Sequence, residues 1–388
     1  MAAPDMAAPD LAAVDKAVPD VGPPDLPSVD QAPDSAPAPD LPPPAPDLSP
    51  DLLVVDAATP DLVPAPDKGV PACAKGKVCG GDNWCEVGPK GSYLQEVHGS
   101  SSKHVVAVTG TGTIWSFDGK TWSKSKAPVS HFATSIWTSG PKDTYVVSSK
   151  VGGMYSPEPM TELLRFDGAS WKTVLSTKWT YLLRIHGTGP GKIHAAGGWC
   201  LSNTYPTYNL CWAHVASYDG KVKYLYSGYG MRSGGGDHFV LSDVWSAGPK
   251  AVFAVGEEQK MGSYGTSIIQ RYDGTYWSTH KPTGVVTRAV WGSGPADVHV
   301  VGGTNGARYN GKTWKTFSTA SSAVLLDIWG SGPSDIYAVG DKGTIVHSDG
   351  TSWKKMASGT PKKITSVWGS SKTDVYVVAG GNLLHKCQ

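Results

Sequence analysis

One phrase recurs from residue 98 to the end of the chain, and it constrains the fold more than any other feature. Its fullest copy reads Ile328-Trp329-Gly330-Ser331-Gly332-Pro333, then Asp335-Ile336-Tyr337-Ala338-Val339-Gly340, then Gly343-Thr344-Ile345, then Asp349-Gly350 and Trp353. Seven positions carry its first Trp or a stand-in: His98, Trp137, His186, Trp245, Trp291, Trp329 and Trp368, spaced by 39, 49, 59, 46, 38 and 39 residues. A period near forty, with short alternating apolar runs and regular turn signals, predicts one four-stranded blade per repeat. The expected fold class is therefore all-β, a seven-bladed β-propeller over residues 71–388.

Each repeat reads as strands a to d. Strand a ends in Val/Ile-Trp-Gly, and a Ser-Gly-Pro-x-Asp turn follows, with Pro fixing φ and Gly supplying positive φ. Strand b is the Asp-Val-Tyr-Ala-Val-Gly run, and strand c begins at Gly-Thr-Ile. An Asp-Gly or Asn-Gly hairpin then leads into strand d, whose Trp stands three residues after that Gly, as in Asp118-Gly119…Trp122 and Asn310-Gly311…Trp314. The seventh copy runs out at Gln388 without a strand d. Gly81-Asp82-Asn83-Trp84 has the missing spacing and runs into Val97-His98-Gly99. The N-terminal strand is thus expected to complete the last blade, with Trp84 in its outermost strand, and so to remove the open sheet edges.

Residues 1–67 have another composition: ten Pro-Asp steps, thirteen Asp, and Lys16 as the only basic residue, a net charge of −12. Pro removes backbone donors and like charges repel, so residues 1–70 read as a disordered, extended linker. The remainder carries 33 Lys+Arg against 20 Asp+Glu, or +13. Many lysines cluster near the strand-d Trp (Lys120, Lys124, Lys126, Lys312, Lys315, Lys354, Lys355), where they would block edge-to-edge pairing.

The even set of six cysteines points to disulfides and an oxidising compartment. Cys200 and Cys211 bracket one loop and are expected to pair. For the rest, a two-residue hairpin register favours Cys85–Cys387, leaving Cys73–Cys79. With no C-x-x-C and no clustered His, no metal site is expected. No apolar run is long enough to span a membrane. Met1 opens directly into the Pro-Asp repeat, so an export signal or lipid anchor is expected upstream.

The motif Val-Trp-Gly-Ser-Gly-Pro-x-Asp-Val-Tyr-Ala-Val-Gly, behind a Pro/Asp-rich stalk, resembles the secreted seven-bladed propeller repeat of myxobacterial-type surface lipoproteins. The resemblance covers essentially the whole chain. It implies a monomer held outside the cell or on its outer surface. It specifies fold rather than activity.

Catalytic signatures fail on context. Gly306-Ala307-Arg308-Tyr309-Asn310-Gly311-Lys312-Thr313 matches a phosphate loop, but its Asn-Gly is a c–d hairpin and no helix follows. His194 and His299 replace the strand-b Tyr, one per blade, as packing residues. No catalytic residue, cofactor or nucleic-acid partner is expected. The departures from the repeat are insertions: residues 152–159, 197–214, 257–267, and the link 227–242. In an a-b-c-d blade, b–c loops and d–a links emerge on one face, so all four crowd one sector of it. Long loops on a rigid scaffold are where recognition concentrates. The expected ligand contacts are Trp199, Trp212, Tyr205, Tyr208, Tyr229 and Arg232, with Tyr155, Tyr226, Asp237 and Tyr264 around them. The expected role is a binding module for a glycan or a surface protein. The alternatives are a polysaccharide-active or sialidase-like hydrolase, and a structural display propeller without a ligand.

Overall fold

The computed structural model describes residues 79–388, apart from 90, 151–159, 179, 204–207, 231–237, 260–264 and 387–388. For 199–203, 208–212, 226–230, 238–239 and 259 it describes the backbone alone. The Pro/Asp stretch lies outside the described residues. The rest is a seven-bladed propeller of antiparallel sheets. Blade 1 holds Leu94–Ser101, His104–Thr109, Thr113–Phe117 and Trp122–Lys126; blade 6 holds Leu325–Gly332, Asp335–Gly340, Ile345–Ser348 and Trp353–Met356. Blades 2 to 5 start at Phe132, Arg184, His238 and Ala289, and blade 7 at Ile364.

Blade 7 closes the ring as the repeat spacing predicts. Trp84–Val87 pairs with Asn382–Lys386, Trp84 opposite Lys386 and Val87 opposite Leu383. Trp84 is 1% exposed and meets Tyr337 of blade 6 edge-on, ring centroids 6.4 Å apart. Its strand is not outermost, however. Cys79–Gly80 folds back on it as a fifth strand.

That fifth strand also corrects the cysteine pairing. Cys79 stands opposite Cys85, and the two are disulfide-bonded. Cys85 faces His385 across the closing register, because the two strands come from opposite chain ends and obey no hairpin register. Cys85–Cys387 and Cys73–Cys79 are therefore excluded. Cys73 and Cys387 themselves lie outside the described residues. The register sets Cys200 directly opposite Cys211, but their side chains lie outside the description.

The c–d connection is a four-residue loop rather than a two-residue turn. Phe117 pairs with Trp122, and between them the Asp118 carboxylate accepts the amides of Lys120 and Thr121. Asp167, Asp273, Asn310 and Asp349 repeat this pattern. The Gly that follows has φ between 88° and 100° in six blades, which side chains with a Cβ rarely adopt. The loop brings an aromatic at the end of strand c onto the strand-d Trp, as in Phe117–Trp122 (5.2 Å) and Tyr309–Trp314 (5.1 Å).

Blade meets blade through the strand-a aromatic. Each Trp lies on the Gly one position past the aromatic in the next blade. A Cβ added at Gly187, Gly292, Gly330 or Gly369 would come within 2.8 Å of Trp137, Trp245, Trp291 or Trp329 respectively, and one at Gly99 would strike Trp368. The two histidines follow a different rule. His98 faces Thr138 and His186 faces Ser246, and each Nδ1 accepts that residue's amide, at 3.2 and 3.3 Å. The smaller ring leaves room for a Cβ. A third contact lies at the rim, where the residue three past one strand-d Trp covers the Trp of the next blade. His280 stacks on Trp314 at 5.7 Å and 13°, and Phe317 on Trp353 at 5.5 Å and 2°. At the blade 3–4 junction the Leu225 carbonyl accepts Trp277 Nε1–H at 2.8 Å.

Three expectations follow. His98→Trp should cost about 1–3 kcal/mol in urea denaturation by overpacking against Thr138, and adding Thr138→Gly should recover at least half of it. Breaking the local Cys79–Cys85 bond with Cys79→Ser should cost roughly 2 kcal/mol, as its short loop dictates. Peptide mapping of Cys387→Ser should show Cys85 still bonded to Cys79.

Candidate binding face and central channel

Two faces follow from the blade topology. On one, c–d glycines pack beside a–b turns: Gly119 against Lys103, Gly168 against Lys142, Gly274 against Lys250. On the other, strand b lies beside a d–a link or the start of the next strand a: Gly197 against Tyr181, Gly256 against Val240, Gly340 against Val324. This second face is where the insertions emerge.

The insertions of blades 3 and 4 are largely strand rather than loop. Blade 3 has Lys192–Asn203, Tyr208–Tyr218 and Val222–Gly230, of 12, 11 and 9 residues. Blade 4 opens with His238–Gly248 and Ala251–Gln259, of 11 and 9 residues. In blade 5 the corresponding strands have only 5 or 6. All the surplus length points to the second face. The register sets Trp199 opposite Trp212, and Trp212 opposite Tyr229, in one row across three strands. Tyr208 stands opposite Asn203, and Tyr226 opposite Val215. Tyr155, Tyr205, Arg232, Asp237 and Tyr264 lie outside the described residues. The backbone thus brings Trp199, Trp212 and Tyr229 together and sets Tyr208 and Tyr226 further along the same blade.

Sequence reasoning missed the channel entirely. One residue before the Val/Ile of strand a stand Glu96, Ser135, Arg184, Asp243, Ala289, Asp327 and Ser366. Five of these accept the amide of the next blade's Val or Ile. Glu96 takes Ile136 N–H at 2.7 Å, Ser135 takes Ile185 at 3.2 Å, and Asp243 takes Val290 at 2.8 Å. Asp327 takes Val367 at 2.8 Å, and Ser366 takes Val97 at 3.2 Å. Arg184 and Ala289 have no acceptor to offer. In the blades after them, Asp243 and Asp327 each use their other oxygen for the following residue's own amide, Val244 and Ile328, both at 2.9 Å. Seven amides at the inner edge of the ring are therefore satisfied.

Arg184 reaches from blade 3 past blade 2 to Glu96 of blade 1, Nη1 to Oε1 2.8 Å. Burial drives the Glu96, Asp243 and Asp327 carboxyls above their ordinary range, against the pull of Arg184, and Asp243 is pushed up to about 7. Burial also holds His98 and His186 down, to about 3 and about 4, so both stay neutral at physiological pH.

The Asp that opens strand b is explained too. Asp335 Oδ2 accepts Ser331 Oγ–H at 2.6 Å, and its Oδ1 meets His347 Nε2 at 2.7 Å; Asp374 does the same with Ser370 and His385, at 2.5 and 2.7 Å. Asp143 takes Arg165 in place of the strand-c imidazole, and Asp297 takes Arg308 there while its Oδ1 also meets His299 Nε2 of strand b at 3.2 Å. These are Ser–Asp–His sets with the carboxylate in the middle. A nucleophilic serine needs the imidazole there instead, so the arrangement buckles the a–b turn to strand c and activates nothing. Burial raises the Asp335 carboxyl, but the bonds from His347 and Ser331 outweigh it and hold it low.

Among the described residues no group of three or more His, Cys, Asp or Glu could hold a metal ion, and no helix is long and apolar enough to cross a membrane. A groove of about 510 Å³ lies at the rim between blades 4 and 5, lined in part by His280, Lys281, Trp314 and Lys315.

No family model matches the chain, and no curated protein does. Solved propellers do match. The structure of YCF48 bound to D1 peptide aligns with a TM-score of 0.56 at 16% identity, over 79% of this chain and 97% of the other. YCF48 from Cyanidioschyzon merolae aligns at 0.55 and 14% identity, over 79% and 98%. The WD40 β-propeller domain of Doa1 aligns at 0.55 and 13% identity, over 80% and 96%. At these identities the similarity establishes the fold.

The amide ring makes a stability prediction. Asp327→Ala strands two amides, Ile328 and Val367, and should cost roughly 2–4 kcal/mol; Ser135→Ala strands only Ile185 and should cost roughly 1–2 kcal/mol, both read from urea denaturation.

Proposed function

We propose that this protein is a non-enzymatic recognition module, acting outside the cell, whose ligand is a segment of a surface protein bound on the insertion face over blades 3 and 4. One observation carries the reading: the strands of blades 3 and 4 outgrow their blades on one face only. Ring stability does not require this, since blades 5 and 6 manage with shorter strands. An excess of rigid strand at one sector gives a raised platform, and rigid platforms lower the ordering cost of binding. The likeness to a propeller solved with a peptide supports a polypeptide ligand. The Cys79–Cys85 bond supports an oxidising compartment.

A second reading keeps the same face and changes the ligand. The register row Trp199, Trp212 and Tyr229 is aromatic in all three places, a composition suited to sugar stacking.

The full chain should be screened in parallel on a surface-displayed peptide library and a glycan array. The expected result is a peptide hit, with Trp199→Ala/Tyr208→Ala weakening it at least tenfold and Lys124→Ala/Lys355→Ala leaving it within twofold. Glycan hits alone, lost in the same aromatic variant, would replace the peptide reading with the sugar one. Equal losses in both double variants would move recognition to the basic rim. A folded aromatic variant that binds normally would overturn the insertion-face site.

A further inference from the structure

The charges at the inner edge of the ring do not balance. Glu96, Asp243 and Asp327 share one guanidinium, Arg184, which electrostatically couples to all three. With every carboxyl ionised the cluster carries a formal charge of −2, at a place only partly open to solvent, where the Glu96 side chain is 12% exposed and lost hydration opposes uncompensated charge. The remaining inner positions offer no second cation. Blades 2 and 7 contribute the hydroxyls of Ser135 and Ser366, blade 5 contributes Ala289, and Arg288, just before that strand, pairs with Glu257 at 3.7 Å. His98 and His186, two residues further along strand a, use Nδ1 as an acceptor for the Thr138 and Ser246 amides, and desolvation keeps both rings neutral.

The same carboxylates hold the blades together. Asp243 bridges blades 4 and 5, Asp327 bridges 6 and 7, and Glu96 bridges 1 and 2 while reaching Arg184 in blade 3. Their amide partners favour ionised oxygens, while burial and mutual repulsion favour a proton. The two demands compete on the same atoms.

We infer that the Glu96–Arg184–Asp243–Asp327 cluster is a proton-linked clasp at the inner edge of the ring, which is tightest with a carboxyl protonated and loosens when that proton leaves. The sign is the reverse of ordinary acid denaturation. An aspartate in the unfolded chain titrates near 3.8, whereas Asp243 in the folded protein titrates at about 7. Between those values the folded state holds a proton that the unfolded state lacks. The clasp therefore stabilises fully below the lower value, weakens as pH rises, and is spent above the upper one. The neutral histidines act oppositely. His98, His186 and His194 sit at about 3, 4 and 4 in the fold, so their contribution is lost as pH falls below about 6.5. The raw stability profile mixes the two, and a difference between matched proteins separates them.

The experiment uses the full chain, its Asp243→Asn variant and its Arg184→Gln variant. Urea denaturation of each from pH 4.5 to 8.5 gives the folding constant. The ratio of parent to Asp243→Asn should fall with rising pH, by up to tenfold per unit where one proton is linked, and should level off above about pH 7.5. Carboxyl ¹³C titration of the parent, which needs no variant to fold, should show one or more Asp or Glu carboxyls titrating above pH 6. Arg184→Gln should move that titration upward, because it removes the cation that pulls on all three carboxyls. A parent whose carboxyls all titrate below pH 5.5 would overturn the clasp. So would a ratio that stays level across the range, or a titration indifferent to Arg184.

Discussion

The ring rests on the seat that each blade offers its neighbour's strand-a aromatic. A single four-stranded sheet of this length buries little by itself; its apolar faces are covered only when the next blade stands against it. The indole of Trp291 lying on Gly330 and that of Trp329 lying on Gly369 let the sheets approach at their inner edges. That approach brings the Asp327 carboxylate within reach of the Val367 amide and the rim aromatics within stacking distance. Widening the first contact would lengthen the other two together.

The repeat made the architecture legible because period, turn residues and alternation agree at every blade. Seven blades, the a–b turn, and closure by Trp84–Val87 could all be read in advance. The cysteine assignment failed where local reasoning was applied to a nonlocal pairing: strands from opposite chain ends set their own register, and Cys79 lay closer in sequence to Cys85 than any hairpin argument considered. The c–d loop was legible as a turn but not as a four-residue one, because Asp-Gly serves both kinds.

The inner site was written in the sequence in a form that is easy to miss. His98 and His186 stand out as substitutions only when each is paired with its neighbour's residue, Thr138 and Ser246 in place of Gly. Variation in one repeat is compensated in the next, so the informative comparison is between blade n and blade n+1 rather than down a column of equivalent positions. Arg184 and Ala289 show the same logic: where one blade lacks an acceptor, the following blade carries an Asp with two. The insertion face was legible as a location, since loop topology fixes it. Its side-chain arrangement was not, because cross-strand register depends on how far strand pairing extends.

Closure through the first strand has a consequence for how the molecule is made. The strand that completes blade 7 is among the first of the propeller to leave the ribosome, and its partner Asn382–Lys386 is the last. Six blades can zip up one after another from local contacts, while the Trp84 strand waits for its place until the seventh is made. The Cys79–Cys85 bond needs no such wait, since six residues separate its ends. An oxidising environment can therefore prepare the closing hairpin as a rigid latch before there is a ring for it to shut.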